Sequence, residues 1–463
     1  MPSTTSTACD LNADFLHLRD GLPPEIERAK QAGDLKRALR LIDAALADDA
    51  RAELAPLLRA ERCRIMRTPQ EYCITRDQAL AAMRKEIASF STDELDALVN
   101  RGRIDWRMVD GEMRFLPSWM DSLRFYPAEV PGIHSPESRN LAARDALLAE
   151  MRENGVAARR ITLRAHIRPL VDVERNGVVR AWLPVPASCP QQSRIEILDA
   201  TPGVRVAPED APQRTAHWES RGAGRRGFEV TYRYDIRAQY VSPDQIACSG
   251  EQPTFDLGEE EPHIVFTPYL RRLTERVTSG CSTPLERARA IYDWICENVD
   301  YRFQPPYLLL DSLADSAAKS LRADCGVFAT LFITMCRIAG IPARWQSGLS
   351  VRPDGVGCHD WAMFYIAPHG WLWADCSFGS AARREGDEDR REFYFGNLDP
   401  WRMVANCQLF AQLDPPDLAL REDPFDNQLG EMSVDGVGLT RHQMERTVGL
   451  VSMERLEPVA RGH

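Results

Sequence analysis

The sequence predicts a multidomain α+β protein. A helical cap or docking domain is expected over residues 1–152, a β-sandwich over 153–255, an α+β core over 256–410, and a C-terminal extension over 411–463 packed on that core or its cleft. Three observations carry this expectation. A chain of 463 residues exceeds the roughly 250 to 300 that one hydrophobic core accommodates, so it should divide into two to four domains. Apolar spacing is helical up to Met151, alternates from Arg159, and turns helical again after Thr267. With 44% hydrophobic and 27% charged residues, the composition is that of an ordinary globular protein, which excludes a fibrous or disordered chain.

Leu22-Pro23-Pro24 leads into a helix from Glu25 to Gln31. Gly33-Asp34 opens another from Leu35 to Leu46, in which Leu39, Ile42, Ala45 and Leu46 share one face. Ala52 to Met66 and Glu71 to Phe90 continue the pattern without a fixed repeat, which argues against a solenoid. The aromatic residues Trp106, Phe115, Trp119, Phe125 and Tyr126 are expected at the seam with the next domain, ahead of a last helix near Pro136 to Met151. Ile161, Leu163, Ala165 and Ile167 then alternate with polar neighbours, as one buried face of a strand requires. Val178 to Pro184, Arg194 to Leu198 and Phe228 to Tyr240 read likewise, with turns at Asn176-Gly177 and Pro202-Gly203. After a polar linker, Thr267-Pro268 and Ser282-Thr283-Pro284 open helices from Tyr269 to Val277 and from Leu285 to Val299. A loop rich in proline and tyrosine runs from Tyr301 to Leu321.

Asp324 caps the next helix, whose apolar run from Val327 to Ala339 stops at Gly340-Ile341-Pro342. Cys325 therefore sits in the first turn, where unpaired backbone N–H groups and the helix dipole favour a thiolate. Cys336, halfway along, has the position of a buried, inert thiol. Gly326 leaves room for a substrate carbonyl, and the backbone N–H of Cys325 can face the oxyanion formed on attack. His359 and Asp375 belong to a hairpin, Trp361 to Ile366 and Trp371 to Cys376, around Pro368-His369-Gly370. A neutral imidazole there can take the thiol proton while Asp375 fixes its tautomer. A tight turn would pair Ala362 with Asp375 and put His359 on the opposite face, so the triad needs a register shift by an odd number. Tyr301 and Gln304 are candidates for a second oxyanion donor or for packing within their loop. Trp361 and Trp373 either wall an apolar acyl pocket or pack in the core.

The 12 cysteines are scattered with no close CxxC pair, so reduced thiols are expected, without a disulfide framework or zinc site. No cofactor or metal is expected. The net charge of −11 is spread over short runs, which argues against nucleic acid or an anionic membrane as partner. No run reaches the roughly 18 apolar residues of a membrane span, and Met1 to Leu18 lacks the basic start and apolar core of a secretory signal. A cytoplasmic location is the resulting expectation.

Three stretches carry a family resemblance: Asp324-Cys325-Gly326 with the helix end Arg337 to Arg344, His359-Asp360-Trp361-Ala362-Met363-Phe364-Tyr365, and Gly370-Trp371-Leu372-Trp373-Ala374-Asp375. Together they resemble the transglutaminase-like superfamily, related to the papain-like cysteine proteases. The resemblance implies a papain-like, transglutaminase-like α+β catalytic core of bacterial type, often preceded by a β-sandwich. It implies Cys325 as nucleophile, His359 as base and Asp375 as orienter, working through a thioester. The implied activity is that of a cysteine peptidase or amidase acting on a peptide, protein or small amide. Two alternatives stand beside it: transglutaminase-type acyl transfer to an amine, and a catalytically silent interaction module that meets a protein partner through its helical N-terminal domain. Asp324 departs from the glycine often found before the nucleophile in bacterial members, and its carboxylate opposes thiol ionisation unless capping occupies it. Arg421 to Gln428 is either a surface loop or a segment folded back onto the cleft, and Val448 to Leu456 is expected to add an edge strand.

Overall fold

A computed structural model describes residues 10–134, 141–222 and 224–457. They form two compact units, one of residues 11–134 with 301–311, the other of residues 10, 141–300 and 312–457.

In the first unit, local capping starts the helices. Asp34 Oδ1 accepts the backbone N–H of Arg37 at 3.1 Å to open Leu35–Leu46, and capping boxes Thr75/Gln78 and Ser91/Glu94 open Arg76–Glu86 and Thr92–Asn100. Ile26, Ala38, Ile42, Leu58 and Ile65 form one core; Met83, Leu95, Phe115, Trp119 and Leu123 belong to a second. Phe115 and Trp119, expected at a domain seam, thus fill this unit's own interior. A small unit obtains a sufficient core only by turning its largest side chains inward.

The second unit begins, among the described residues after Asp10, with α1 (Leu141–Asn154). The last helix expected of the helical segment therefore groups with the strands that follow it; the start expected near Pro136 lies outside the described residues. Six strands come next: β1 (Val156–Pro169), β2 (Val178–Pro184), β3 (Gln192–Ala200), β4 (Arg205–Val206), β5 (Thr215–Arg221) and β6 (Phe228–Gln239). Helices α2 (Pro268–Val277), α3 (Pro284–Asn298), α4 (Leu313–Ser320) and α5 (Cys325–Ile338) precede β7 (Ala343–Arg352), β8 (Gly355–Ile366) and β9 (Gly370–Ala374). After α6 (Cys376–Arg384) come β10 (Phe395–Gly396), β11 (Arg402–Asn406), β12 (Glu431–Val434), β13 (Val437–Gly438) and β14 (Met444–Arg455).

These strands make three antiparallel sheets, ordered β14-β1-β6-β3, β13-β12-β2-β5-β4 and β10-β9-β8-β7-β11. One hydrophobic cluster takes Ile161 and Leu163 from β1, Leu183 from β2, Trp218 from β5 and Tyr232 from β6, and is completed by Leu349 of β7 and Met403 of β11. Burying such a side chain contributes about 1.5–3 kcal/mol before conformational entropy is subtracted. The cluster thus ties the sheet that carries the hairpin to the two sheets before it.

The C-terminal extension, expected on the core or cleft, also builds both earlier sheets. Glu431 of β12 lies opposite Trp182 of β2, and β14 pairs with β1 from Met444 to Arg455. The edge strand expected at Val448 starts earlier because β1 is long enough to pair with all of it. Among the described residues, no helix is long and apolar enough to cross a membrane.

At Ser347/Gly348 the ladder between β7 and β11 is irregular. A side chain on Gly348 would fall on the Met403 carbonyl, and Gly348 lies opposite His359 in the β7–β8 ladder. Gly348→Ala is therefore expected to cost about 1–3 kcal/mol, read as a lower urea midpoint at unchanged slope. An unchanged midpoint would show that the two strands can part there freely.

Candidate active site

The hairpin supplies the first pair of groups. Ile366 lies opposite Gly370 and Ala362 opposite Ala374, so the connection is Ala367-Pro368-His369. Relative to the tight turn expected from sequence the ladder is shifted by one residue, the odd shift the relay requires. Asp375 then leaves on the His359 side, and His359 Nε2 lies 2.7 Å from Asp375 Oδ2. Both residues are buried.

Asp375 also starts the next helix, because its Oδ1 accepts the backbone N–H of Phe378 at 2.9 Å. Arg402 reaches across from β11 and pairs with Asp375 Oδ2 at 3.0 Å and with Asp399 Oδ2 at 2.8 Å. Its guanidinium lies 4.5 Å from the ring centre of Phe378, and His359 stacks on the same ring at 4.4 Å. Burial, the strongest influence on His359, holds its pKa below the usual histidine value; Asp375 pulls it up and Arg402 pushes it further down. The imidazole is thus neutral near pH 7. Burial opposes ionisation of Asp375, but His359 and Arg402 together outweigh it and keep the carboxylate below its usual range.

Cys325 opens α5 as expected, with Asp324 Oδ1 accepting the backbone N–H of Val327 at 3.2 Å. Gly326 is buried in the same turn. The residue keeps partial solvent access, yet its sulfur is densely surrounded. Burial is the largest of the pushes that raise the thiol well above its ordinary pKa, Asp360 is next and Asp324 follows. The expectation of a thiolate at the helix start is therefore reversed: nearby carboxylates and burial outweigh the partial charge of a helix end.

Sγ of Cys325 donates to Asp360 Oδ2 at 3.2 Å. The β7–β8 ladder runs without interruption through this region, so His359 and Asp360 leave opposite faces of β8. The structure brings His359 and Asp375 together and places Cys325 on Asp360; among the described residues no hydrogen bond joins Cys325 to His359.

Trp361 and Trp373 both donate to Gln346 Oε1, at 2.8 and 3.3 Å, and Gln191 donates to the same oxygen at 2.9 Å. Trp361 is buried, whereas Trp373 lines a small pocket with Gln191, Leu398, Asp399 and Arg402. Tyr301 and Gln304 belong to the helical unit. There the backbone N–H of Tyr301 donates to Tyr126 Oη at 2.6 Å, its ring lies 5.0 Å from that of Phe125, and Gln304 Nε2 donates to the Arg302 carbonyl at 3.0 Å. These are the contacts of loop packing.

Sequence reasoning missed four polar residues. Arg402 is visible in Asp399-Pro400-Trp401-Arg402 only as a charge next to an apolar strand. Asp360 is masked by the histidine before it. Asp426 and Gln428 lie in the polar segment after Arg421, which folds back: Gln428 Nε2 donates to Asp360 Oδ1, and Asp426 Oδ1 accepts from Ser347 Oγ at 2.8 Å.

The profile of the Transglutaminase-like superfamily matches residues 271–376, a span that holds Cys325, His359 and Asp375. The chain is 27% identical over 132 residues to kyphoscoliosis peptidase of Homo sapiens and 26% identical over 132 residues to that of Mus musculus, in each case 24% of this chain and 18% of the relative. It is 24% identical over 191 residues to an uncharacterized protein of Haemophilus influenzae, covering 34% of this chain and 52% of that one. It therefore spans well under two thirds of each relative. Among solved structures, a candidate cysteine protease from Cytophaga hutchinsonii aligns over 64% of this chain and 91% of its own, with 15% identity and a TM-score of 0.40. The periplasmic domain of TgpA from Pseudomonas aeruginosa aligns over 48% and 93%, with 14% identity and a TM-score of 0.27. Residues 271–376 of this chain are a transglutaminase-like superfamily core.

Proposed function

We propose that this protein is a thiol-dependent hydrolase that cleaves a peptide or related amide through Cys325, His359 and Asp375 and a thioester intermediate. The observation that carries the reading is the buried 2.7 Å contact between His359 Nε2 and Asp375 Oδ2, in the same core as a cysteine on the first turn of a helix. In this reading Cys325 gives its proton to His359 as the sulfur attacks the amide carbonyl. The tetrahedral intermediate collapses with cleavage of the C–N bond, and His359 returns the proton to the leaving amine. Water, deprotonated by His359, then cleaves the thioester and restores the thiol. Asp375 stabilises the imidazolium at each stage, and backbone N–H groups at the start of α5 face the oxyanion. The name of the mammalian relatives, a peptidase, supports a peptide or protein as substrate.

The test is amine release from a library of peptide amides by the full-length protein. Turnover that falls roughly 10³-fold or more in Cys325→Ala supports the reading. Turnover indifferent to Cys325→Ala would sink it. Adding a primary amine to the same assay separates hydrolysis from acyl transfer, because transfer yields a new amide in place of the acid.

A further inference from the structure

The C-terminal segment that reaches the thiol is firmly built. Arg421 is buried and holds Glu431 with both carboxylate oxygens at 3.0 Å, while donating to the carbonyls of Ala411 at 2.8 Å and Pro424 at 3.2 Å. Phe425 is buried, its ring 5.2 Å from that of Phe410 and 4.1 Å from that of His263. Asn427 Oδ1 accepts the backbone N–H of Gly430 at 2.8 Å. Between these anchors the chain presents Asp426 to Ser347 and Gln428 to Asp360. Ser347 and Asp360 are direct partners in the β7–β8 ladder, so the segment lies over the face of the sheet that carries the Cys325 contact.

We infer that Asp360 and Gln428 form a latch on the nucleophile: Asp360 holds the Cys325 proton on the strand face opposite His359, and Gln428, delivered by the C-terminal segment, fixes that carboxylate in place. The inference rests on the reading of Cys325 as nucleophile. Asp360 has two oxygens and both are committed, one to the sulfur at 3.2 Å and one to Gln428. For Cys325 to hand its proton to His359, the sulfur must leave Asp360, which stands on the face of β8 opposite the imidazole. The latch is therefore a positioning device, acting on chemistry carried out by other groups. It also gives the C-terminal segment a role at the site: a ligand or partner that lifts Gln428 away loosens Asp360 and frees the thiol.

The charged and titratable groups around Asp360 set the sign of the pH effect. They are Cys325 and Asp324 of α5, Cys358 on its own strand, and Asp426 of the segment. Arg421 and Glu431 bear on Asp426, and Arg441 and Arg446 bear on Cys358. Burial, then Asp426, push Asp360 well above the usual carboxylate range, and burial pushes Asp426 up to about 7. Each of these carboxylates, once ionised, opposes a thiolate at Cys325. Removing the charge at Asp360 therefore lowers the pH at which the sulfur becomes nucleophilic.

The experiment is the rate of Cys325 alkylation by iodoacetamide across pH, read by peptide mass spectrometry on the full-length protein so that the other cysteines are resolved. Asp360→Asn is expected to speed alkylation about tenfold, one pKa unit, at pH values where the native carboxylate is ionised, and to move the profile to lower pH. Gln428→Ala, which leaves the buried carboxylate in place, is expected to speed it about threefold, and this second variant carries the test if Asp360→Asn folds poorly. Adding His359→Ala to either variant should remove part of the gain, because the freed proton then lacks its acceptor. Unchanged or slower alkylation in both single variants would overturn the latch, and slower alkylation would make Asp360 the thiol's base. Faster alkylation without any amide turnover would leave the latch standing and sink the hydrolase reading.

Discussion

Arg402→Met will lower stability by about 3–5 kcal/mol at pH 7, and the loss will shrink as the pH falls toward 4. Arg402 is 1% exposed and its guanidinium is paired to two carboxylates, Asp375 and Asp399. Methionine keeps an unbranched apolar stem but leaves two buried anions without their common cation, and an unpaired buried charge is among the costliest single defects. The direction of the pH dependence follows from Asp375. In the native protein its pKa is held below the usual carboxylate range, so its contribution to stability is present above the unfolded value of about 3.9 and is lost as pH falls through the folded one. Without Arg402 the burial of Asp375 is opposed mainly by His359, the folded pKa rises, and protonation at low pH relieves the defect. Urea denaturation of both proteins at pH 7 and pH 4 measures the two differences. Equal losses at both pH values would mean that Arg402 acts by packing alone.

Arg402 also shows where sequence reading stops. The helix of Cys325 was legible because its cap, its apolar run and its Gly-Ile-Pro stop are local signals, and it is observed as Cys325–Ile338. Thr283 capping, the alternation through Ile161 and Leu163, and the strand Val178–Pro184 were legible for the same reason. The hairpin register could be posed only as a condition, since one residue in the turn decides which face Asp375 takes. β5 was missed because only Ala216 and Trp218 mark its buried face, an alternation too short to stand out between polar neighbours. Asp360, Gln428 and Arg402 come from elements remote from one another in sequence, and only tertiary pairing brings Gln428 to Asp360 and Arg402 to Asp375. The thiol's high pKa follows from burial first and then from Asp360 and Asp324. A helix start alone predicts the opposite sign.

Asp375→Asn is expected to reduce kcat/KM by about 10⁴-fold, the loss seen when the same change is made in a Ser-His-Asp relay, while costing far less stability than Arg402→Met. Asparagine can still accept the Phe378 N–H that starts α6. The amide that remains can donate toward His359 Nε2, and an imidazole whose Nε2 accepts carries its proton on Nδ1. That tautomer has no lone pair left for the thiol proton. The pH profile distinguishes this from a general disturbance of the site. Asp375 raises the His359 pKa against the larger effect of burial, so removing its charge lowers that pKa further. The imidazole then stays neutral to still lower pH, and the acid limb of kcat/KM should move down even as the plateau collapses. The size of the loss and the direction of the limb are independent readouts. A loss below about tenfold with an unmoved acid limb would remove Asp375 from the relay and leave it as the cap of α6 and the partner of Arg402.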